Sequence, residues 1–80
     1  MKVMQLELDR EAGLAYLRRS NSLVSRTVEV SPSINADIDE LGELVGIEII
    51  DFHAELPADV LVESYGLDSV ELGLLRSLSS

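Results

Sequence analysis

The sequence predicts an α+β fold, namely a five-stranded antiparallel β-meander followed by a short C-terminal helix or helix pair. Two patterns indicate it. Apolar and polar residues alternate with a period of two as far as Ile50, which is typical of half-buried strands. After Asp51 the apolar residues recur three to four positions apart, as on one face of a helix. We therefore assign residues 1–53 to a β-meander and residues 54–80 to a helical tail, both within one domain.

The first two strands are predicted to form a hairpin. The first covers residues 3–8 and the second residues 14–18, each with apolar side chains at alternate positions. Between them, residues 9–13 are mostly polar and end in Gly13, which can adopt a positive φ in a turn.

Three further strands complete the predicted meander. They cover residues 24–30, 34–39 and 44–50, and the first of them is rich in β-branched residues. Pro32 forces a corner before the fourth strand, and Gly42 suits a bulged hairpin turn before the fifth. The residues that should face the core from the last two strands are Ile34, Ala36, Ile38, Val45, Ile47 and Ile49.

The tail is predicted to contain two short helices, or one helix broken at Gly66, packed on the same or a neighbouring chain. Pro57 can open the first helix as its first residue, and Gly66 ends it. Asp68 and Glu71 have the spacing of a capping box, with aspartate in place of serine or threonine. The second helix then presents one apolar stripe of Leu72, Leu75 and Leu78.

Composition limits the classes of partner. The chain has 80 residues, with 15 acidic and 6 basic side chains, a net charge of −9 and no cysteine. Such a short chain buries little apolar surface, so without disulfides we expect homo-oligomer formation to add stability. Nucleic acid is excluded as a partner because its phosphates would be repelled.

No targeting segment is evident in the sequence. Gln5 and Glu7 interrupt the first apolar stretch, so it lacks the core of a signal peptide. No uncharged apolar run approaches the roughly 18 residues that a membrane span needs. We expect a cytoplasmic protein that does not enter a membrane.

Apolar residues outside the predicted core are candidates for an interface. The predicted sheet has one apolar face and one mixed face, which carries both polar and apolar side chains. One group lies on the mixed face, where leaving it in water would cost about 1.5–3 kcal/mol per side chain. The other group is the stripe of the second helix. A symmetric interface would bury one of these two groups. The first group consists of Leu14, Tyr16, Leu44 and Ile50, and the second of Leu72, Leu75 and Leu78.

A second candidate site is a polar cluster that the strand register would gather on the mixed face, consisting of Arg18, Glu29, Asp37 and Glu48. Crowded carboxylates can serve as acid–base pairs or as ligands for hard metals. The sequence favours the simpler interpretation, a solvated face neutralised locally by Arg18. Residues 35–39 resemble the start of a calcium loop, but Glu40 and Gly46 occupy the places of its required glycine and glutamate. We expect no cofactor, no metal and no catalytic residues.

His53 is the single histidine, and neither a cysteine nor a serine can be paired with it from the sequence, so a nucleophile–base pair is unsupported.

Four blocks of sequence occur in an order that resembles a known family. They are Asp9-x-Glu11-Ala12-x-x-Ala15-Tyr16-Leu17-Arg18, Arg26-Thr27-Val28-Glu29-Val30, Ile34-Asn35-Ala36-Asp37-Ile38-Asp39 and Gly42-x-Leu44-Val45-Gly46-Ile47-Glu48-Ile49-Ile50-Asp51. Together they resemble the small bacterial family called domain of unknown function 2283, over about residues 3–53. Members of that family often have proline where this chain has Arg10, which changes only the first turn.

The resemblance implies a compact β-rich protein without an established activity. Family members are often encoded beside another small domain that has toxin-like relatives, which implies a partner-binding or antitoxin-like role. Two functional hypotheses result. One is a non-catalytic module that self-associates, and the alternative is an antitoxin-like binder that neutralises a basic partner encoded nearby.

Overall fold

The computed structural model describes residues 4–78 and confirms the α+β class. Residues 1–3 and 79–80, which the predicted segments include, lie outside this range. Five strands are followed by two helices. They are β1 (Gln5–Asp9), β2 (Leu14–Arg18), β3 (Arg26–Ser31), β4 (Ile34–Ile38), β5 (Leu44–Ile49), α1 (Ala58–Tyr65) and α2 (Ser69–Ser77).

All strand pairs are antiparallel, as expected, but the strand order is β1-β2-β5-β4-β3 rather than that of a simple meander. β5 lies in the centre of the sheet, and nearly all of its residues are buried. Residues 19–25 therefore carry the chain past β5 and β4 to the far edge. The backbone N–H groups of Arg19 and Ser20 both donate to the Val45 carbonyl along this path.

The two helices cover one face of the sheet, and the sheet and tail of the same chain share one hydrophobic core. The strands contribute six central residues to it, Ala15, Leu17, Ile34, Ala36, Ile47 and Ile49. The tail contributes Leu61, Leu67, Leu72, Leu75 and Leu78. The opposite face of the sheet is left without a helix in the described part of the chain.

A bulge in β5 changes one predicted side-chain direction. Asp37 lies opposite Gly46, but the next residue, Ile38, lies opposite Leu44, so β5 advances two residues while β4 advances one. Leu44 consequently joins the core beside Ile38, whereas strict alternation predicted it on the mixed face. That prediction was wrong because alternation alone does not show where an extra residue is inserted.

The β4–β5 loop is organised by Asp39. Its Oδ1 atom accepts hydrogen bonds from the backbone N–H groups of Leu41 and Glu43, both at 2.9 Å, and its side chain is buried. The sequence placed Asp39 on the solvated side of the fourth strand, but β4 ends at Ile38 and Asp39 turns inward. Gly42 adopts φ 82° in this loop, as predicted.

The helix ends largely match the sequence signals. Pro57 is the N-cap of α1 rather than its first residue, and Gly66 ends α1 in the left-handed conformation with φ 69°. Asp68 and Glu71 form the predicted capping box at the start of α2. The Glu71 backbone N–H donates to Asp68 at 2.8 Å, and the Asp68 N–H donates to Glu71 at 3.0 Å.

Arg19 joins the tail to the sheet. Its guanidinium donates two hydrogen bonds to the carboxylate of Glu71, at 3.0 and 2.6 Å, and Glu71 is fully buried. It also donates to the carbonyls of Tyr65 and Gly66, at the C-terminal end of α1. A cation at that helix end is favourable because the unpaired carbonyls there carry partial negative charge. The hydrogen bonds to the carboxylate of Glu71, together with its negative charge, raise the pKa of Arg19.

Candidate interaction surface

The sheet face turned away from the helices carries two rows of side chains. Residues directly opposite one another in antiparallel strands share a face, so the register defines the rows. One row consists of Glu7, Tyr16, Glu48, Asn35 and Glu29. The next consists of Gln5, Arg18, Gly46, Asp37 and Thr27. Together with Asp9 the rows hold five carboxylates and one guanidinium, and we call this surface the acidic face.

Tyr16 lies at the centre of the acidic face and reaches across β5. Its hydroxyl donates to Asp37 Oδ2 on β4 at 2.8 Å. The path crosses Gly46, where a Cβ atom would stand within about 2.6 Å of the Tyr16 ring. Glycine at this position therefore makes the contact between β2 and β4 possible.

Further polar contacts extend from this centre. Thr27 on β3 donates to the other oxygen of Asp37 at 2.6 Å, so both carboxylate oxygens are occupied. On the β1 side, Arg18 lies over the Tyr16 ring, with its guanidinium carbon 5.1 Å from the ring centre, and its Nε lies 3.7 Å from a Glu7 oxygen. These contacts fix the orientation of Tyr16 before any partner binds.

Asn35 and Glu48 form a separate contact in the neighbouring row. The Asn35 side-chain amide donates to Glu48 Oε1 at 3.0 Å, which links β4 to β5. Glu48 is otherwise exposed. Its carboxylate can therefore accept hydrogen bonds from a partner.

The environment of Tyr16 keeps its hydroxyl protonated. Burial, followed by the hydrogen bond to Asp37 and the negative charge of Asp37, raises the pKa of Tyr16 to about 12. At neutral pH the phenol is therefore a hydrogen-bond donor and not a base. It can contribute to binding, but it is a poor nucleophile.

The four residues of the predicted polar cluster all lie on the acidic face, but they do not form one compact group. Asp37 is bound by Tyr16 and Thr27, while Arg18 is directed toward Glu7. Glu29 lies opposite Asn35 on β3 and is exposed. Within residues 4–78, no group of three or more His, Asp or Glu side chains is arranged to hold a metal ion.

The seven apolar residues predicted at an interface lie in two places. Leu14, Tyr16 and Ile50 remain accessible, and Leu14 and Ile50 are 40% and 44% exposed. The other four are buried in the core of their own chain, namely Leu44, Leu72, Leu75 and Leu78. The tail leucines are buried because the helices cover the apolar face of the same sheet.

Two important residues were not found by the sequence reasoning. Arg19 directly follows β2 and is the neighbour of Arg18 in the sequence. Nothing in the sequence pattern indicates that its partner is Glu71 in α2. Nor did the sequence pattern predict that Gly46 would contact a side chain from another strand. A glycine in the interior of a strand is a known sign of close approach by another group, and this signal could have identified it.

His53 lies in the turn after β5, where its ring meets the edge of Phe52 at 4.8 Å between ring centres. Neither helix in the described range is long and apolar enough to cross a bilayer.

Comparison with known proteins gives one family assignment. No curated protein and no solved structure matches the chain. The model of a family described as protein of unknown function, DUF2283, matches residues 5–52. This range contains all five strands and the whole acidic face, but not the helical tail. Because the match covers more than half of the 80 residues, the chain belongs to the DUF2283 family.

Proposed function

We propose that this protein is a non-catalytic interaction module that binds a basic protein partner through the acidic face. The observation that carries the proposal is the charge of this face. A complete face of the sheet is left free by the helices in residues 4–78, and it presents five carboxylates with one guanidinium. Complementary charge steers association and selects between partners.

The acidic face also has the composition expected at the centre of a protein interface. Tyr16 is a rigid, half-buried aromatic residue, and the exposed Leu14 and Ile50 supply apolar area close to the carboxylates. Aromatic anchors with a polar surround carry much of the energy of known interfaces. A basic partner could place apolar side chains against these residues and its cations against Glu29 and Glu48.

The same charges make the acidic face unsuitable for a symmetric contact with a second copy. Two such faces would bring ten carboxylates together, and like charges directly opposite one another are destabilising. This reverses the balance between the two functional hypotheses, because the sequence favoured self-association through either this face or the tail helices, and the apolar stripe of the tail is buried in its own chain.

A non-catalytic role is supported by the chemistry of Tyr16. With its pKa raised to about 12, the phenol stays protonated and engaged with Asp37 at neutral pH.

The test is a calorimetric titration of the purified protein with the product of the neighbouring gene, which the proposal requires to be basic, at two salt concentrations. The double variant Glu29→Lys/Glu48→Lys should bind at least about tenfold more weakly and with less dependence on salt. The matched control is Glu55→Lys/Glu63→Lys, which changes the net charge equally but lies in the tail, and it should bind nearly as wild type does. Equal weakening in both variants, or no binding of the wild type, would contradict the proposal.

Self-association is a second candidate function, favoured by apolar surface away from the acidic face. Leu23 and Leu41, in the loops that flank β3 and β5, are 90% and 81% exposed. Light scattering at micromolar concentration tests it, and a mass near 8.8 kDa would mean a monomer. A mass near twice that value is the expected result.

A further inference from the structure

The sheet has two edge strands, β1 and β3, each paired on one side within the described residues. Alternate backbone N–H and C=O groups of an edge strand point away from the sheet and can pair with another strand. Natural proteins usually protect such edges with charge, proline or short length. The side chains that each edge would place opposite an added strand determine which edge can pair.

Charge distinguishes the two edges. β1 carries Glu7 and Asp9 and no basic residue, whereas β3 carries one base, Arg26, and one acid, Glu29. Two chains that each carry a net charge of −9 repel one another, so a contact between copies is least unfavourable where the local charge is balanced. This favours β3 as the edge that a second copy can approach.

The alternation of side chains restricts the register of such a pair. Directly opposite residues must share a face, so a symmetric antiparallel pair that uses five of the six residues of β3 is centred on Val28 or on Glu29. The register of β3 with β4 shifts between Glu29 and Ser31, so the strand is irregular around Val30. Centring on Glu29 would place two carboxylates opposite one another, which is destabilising. Centring on Val28 places Val28 opposite its copy and Thr27 opposite Glu29, so no two like charges lie directly opposite one another.

The helix side of β3 adds apolar surface to this arrangement. Val28 is half-buried and, with Ile38 and Leu44, contributes to an open groove of about 800 Å³ that Arg26 and Tyr65 also border. With Val28 at the centre of the pair, the grooves of two copies meet across the symmetry axis. The Val28 side chains would then contact each other and lose exposure to water.

We propose that two copies of this chain associate through β3, in an antiparallel pair centred on Val28, to form a continuous ten-stranded sheet. This inference rests on the self-association suggested above and assigns the contact to the β3 edge rather than to Leu23 and Leu41. The pairing keeps both acidic faces on the same side of the extended sheet. The dimer would therefore offer a basic partner an acidic surface twice as large.

The absence of cysteine from the chain makes disulfide cross-linking a direct test. Opposite residues in an antiparallel pair have Cα atoms about 4.5–5.5 Å apart, within the range that a disulfide can bridge, whereas positions offset by two residues are about 7–8 Å apart. Under mild oxidation at micromolar concentration, Val28→Cys should form a covalent dimer. Glu29→Cys alone should not, but an equimolar mixture of Thr27→Cys and Glu29→Cys should form the mixed dimer.

Two matched controls place the same cysteine on the other edge, Leu6→Cys and Glu7→Cys. Light scattering of the wild-type protein is measured in parallel. If the wild type is a dimer but Glu29→Cys, or either β1 variant, cross-links in preference to Val28→Cys, the β3 pairing is overturned and self-association stands. A dimer without any cross-link would do the same. A wild-type monomer would overturn both, and binding of a basic partner would be unaffected by that result.

Discussion

At the scale of single residues, the centre of the acidic face depends on a close contact between the smallest residue in β5, Gly46, and the largest in β2, Tyr16. Tyr16 reaches Asp37 only because Gly46 has no side chain between them. A glycine in a strand normally weakens it, through lost packing and added backbone entropy. Here the loss is offset by the hydrogen bond from Tyr16 and by the ring that covers Gly46.

We predict that Gly46→Ala destabilises the protein by about 1–3 kcal/mol, the usual range for overpacking. The new methyl group would displace the Tyr16 ring and break its bond to Asp37. The same substitution made in a Tyr16→Ala background should have a much smaller effect, because the space above position 46 is then open. Urea unfolding of the four proteins measures this coupling, and additive effects would show that the ring and the glycine are independent.

A second prediction concerns alkaline pH. The pKa of Tyr16 is about 12 in the folded chain and near 10 when unfolded. Folding therefore favours the protonated phenol, and the stability it contributes is complete below pH 10 and is lost as the pH rises toward 12. Tyr16→Phe should show a weaker decline of the free energy of unfolding over this interval.

The matched control for the alkaline experiment is Tyr65→Phe, which leaves Tyr16 as the single tyrosine. Its phenolate absorbance should report ionisation near pH 12 directly. Ionisation near pH 10 in that variant would show that Asp37 and burial do not hold the proton.

At the scale of elements, Arg19 determines where the tail lies. Its side chain is 20% exposed, that of Glu71 is fully buried, and the same guanidinium binds the end of α1 and the start of α2. The short helices α1 and α2 have eight and nine residues and would be marginal alone, so their stability comes from packing and from such contacts.

We predict that Arg19→Ala costs about 3–5 kcal/mol, because it leaves the buried carboxylate of Glu71 without this cation. Arg19→Lys should have a smaller effect, since it retains the charge but loses the two-pronged geometry. Arg18→Ala is the matched control on the adjacent residue, with an exposed ion pair worth at most about 1 kcal/mol. Urea unfolding measures the loss of stability in each variant, and hydrogen exchange in α2 is a second measurement. Similar losses of stability at positions 18 and 19 would contradict the prediction.

The helices and strands also show which structural features could be predicted from the sequence. Local signals identified both helix ends at Gly66 and Asp68 and the bounds of β2, because capping and alternation act between near neighbours. The position of β5 between β2 and β4, and the contact of Arg19 with Glu71, depend on residues far apart in the chain. The β5 bulge moved Leu44 to the other face, since one inserted residue reverses the direction of those beyond it.

The candidate site was predictable to a similar extent. Alternation placed Glu29, Asp37 and Glu48 on one face, where the register of β3, β4 and β5 also places them, because alternation follows from the pleat of a strand. It could not show that the tail would cover the opposite face and bury Leu72, Leu75 and Leu78. Which face of a sheet its own helices cover is a property of the complete fold.

At the scale of the whole molecule, two faces of one sheet have different roles. The helix side supplies the hydrophobic core, and the acidic face accumulates charge that the chain does not neutralise. A net charge of −9 on 80 residues favours solubility and steering of cations but opposes the compact state through self-repulsion. The acidic face is therefore expected to be stabilised by a bound basic partner.

The last prediction follows from this repulsion. Sodium chloride raised from about 0.01 M to 0.1 M shortens the screening length from about 30 Å to 10 Å, so repulsion between carboxylates on the acidic face weakens. The buried Arg19–Glu71 pair is screened much less, because solvent ions do not reach Glu71. The melting temperature of the wild type should therefore rise with salt, and that of Glu29→Lys/Glu48→Lys should rise less. The tail variant Glu55→Lys/Glu63→Lys has the same net charge and should keep more of the salt response, because its acidic face is intact. A melting temperature that falls with salt would mean that exposed ion pairs such as Arg18–Glu7 outweigh the repulsion, and the acidic face would then not be the main source of electrostatic stress in the fold.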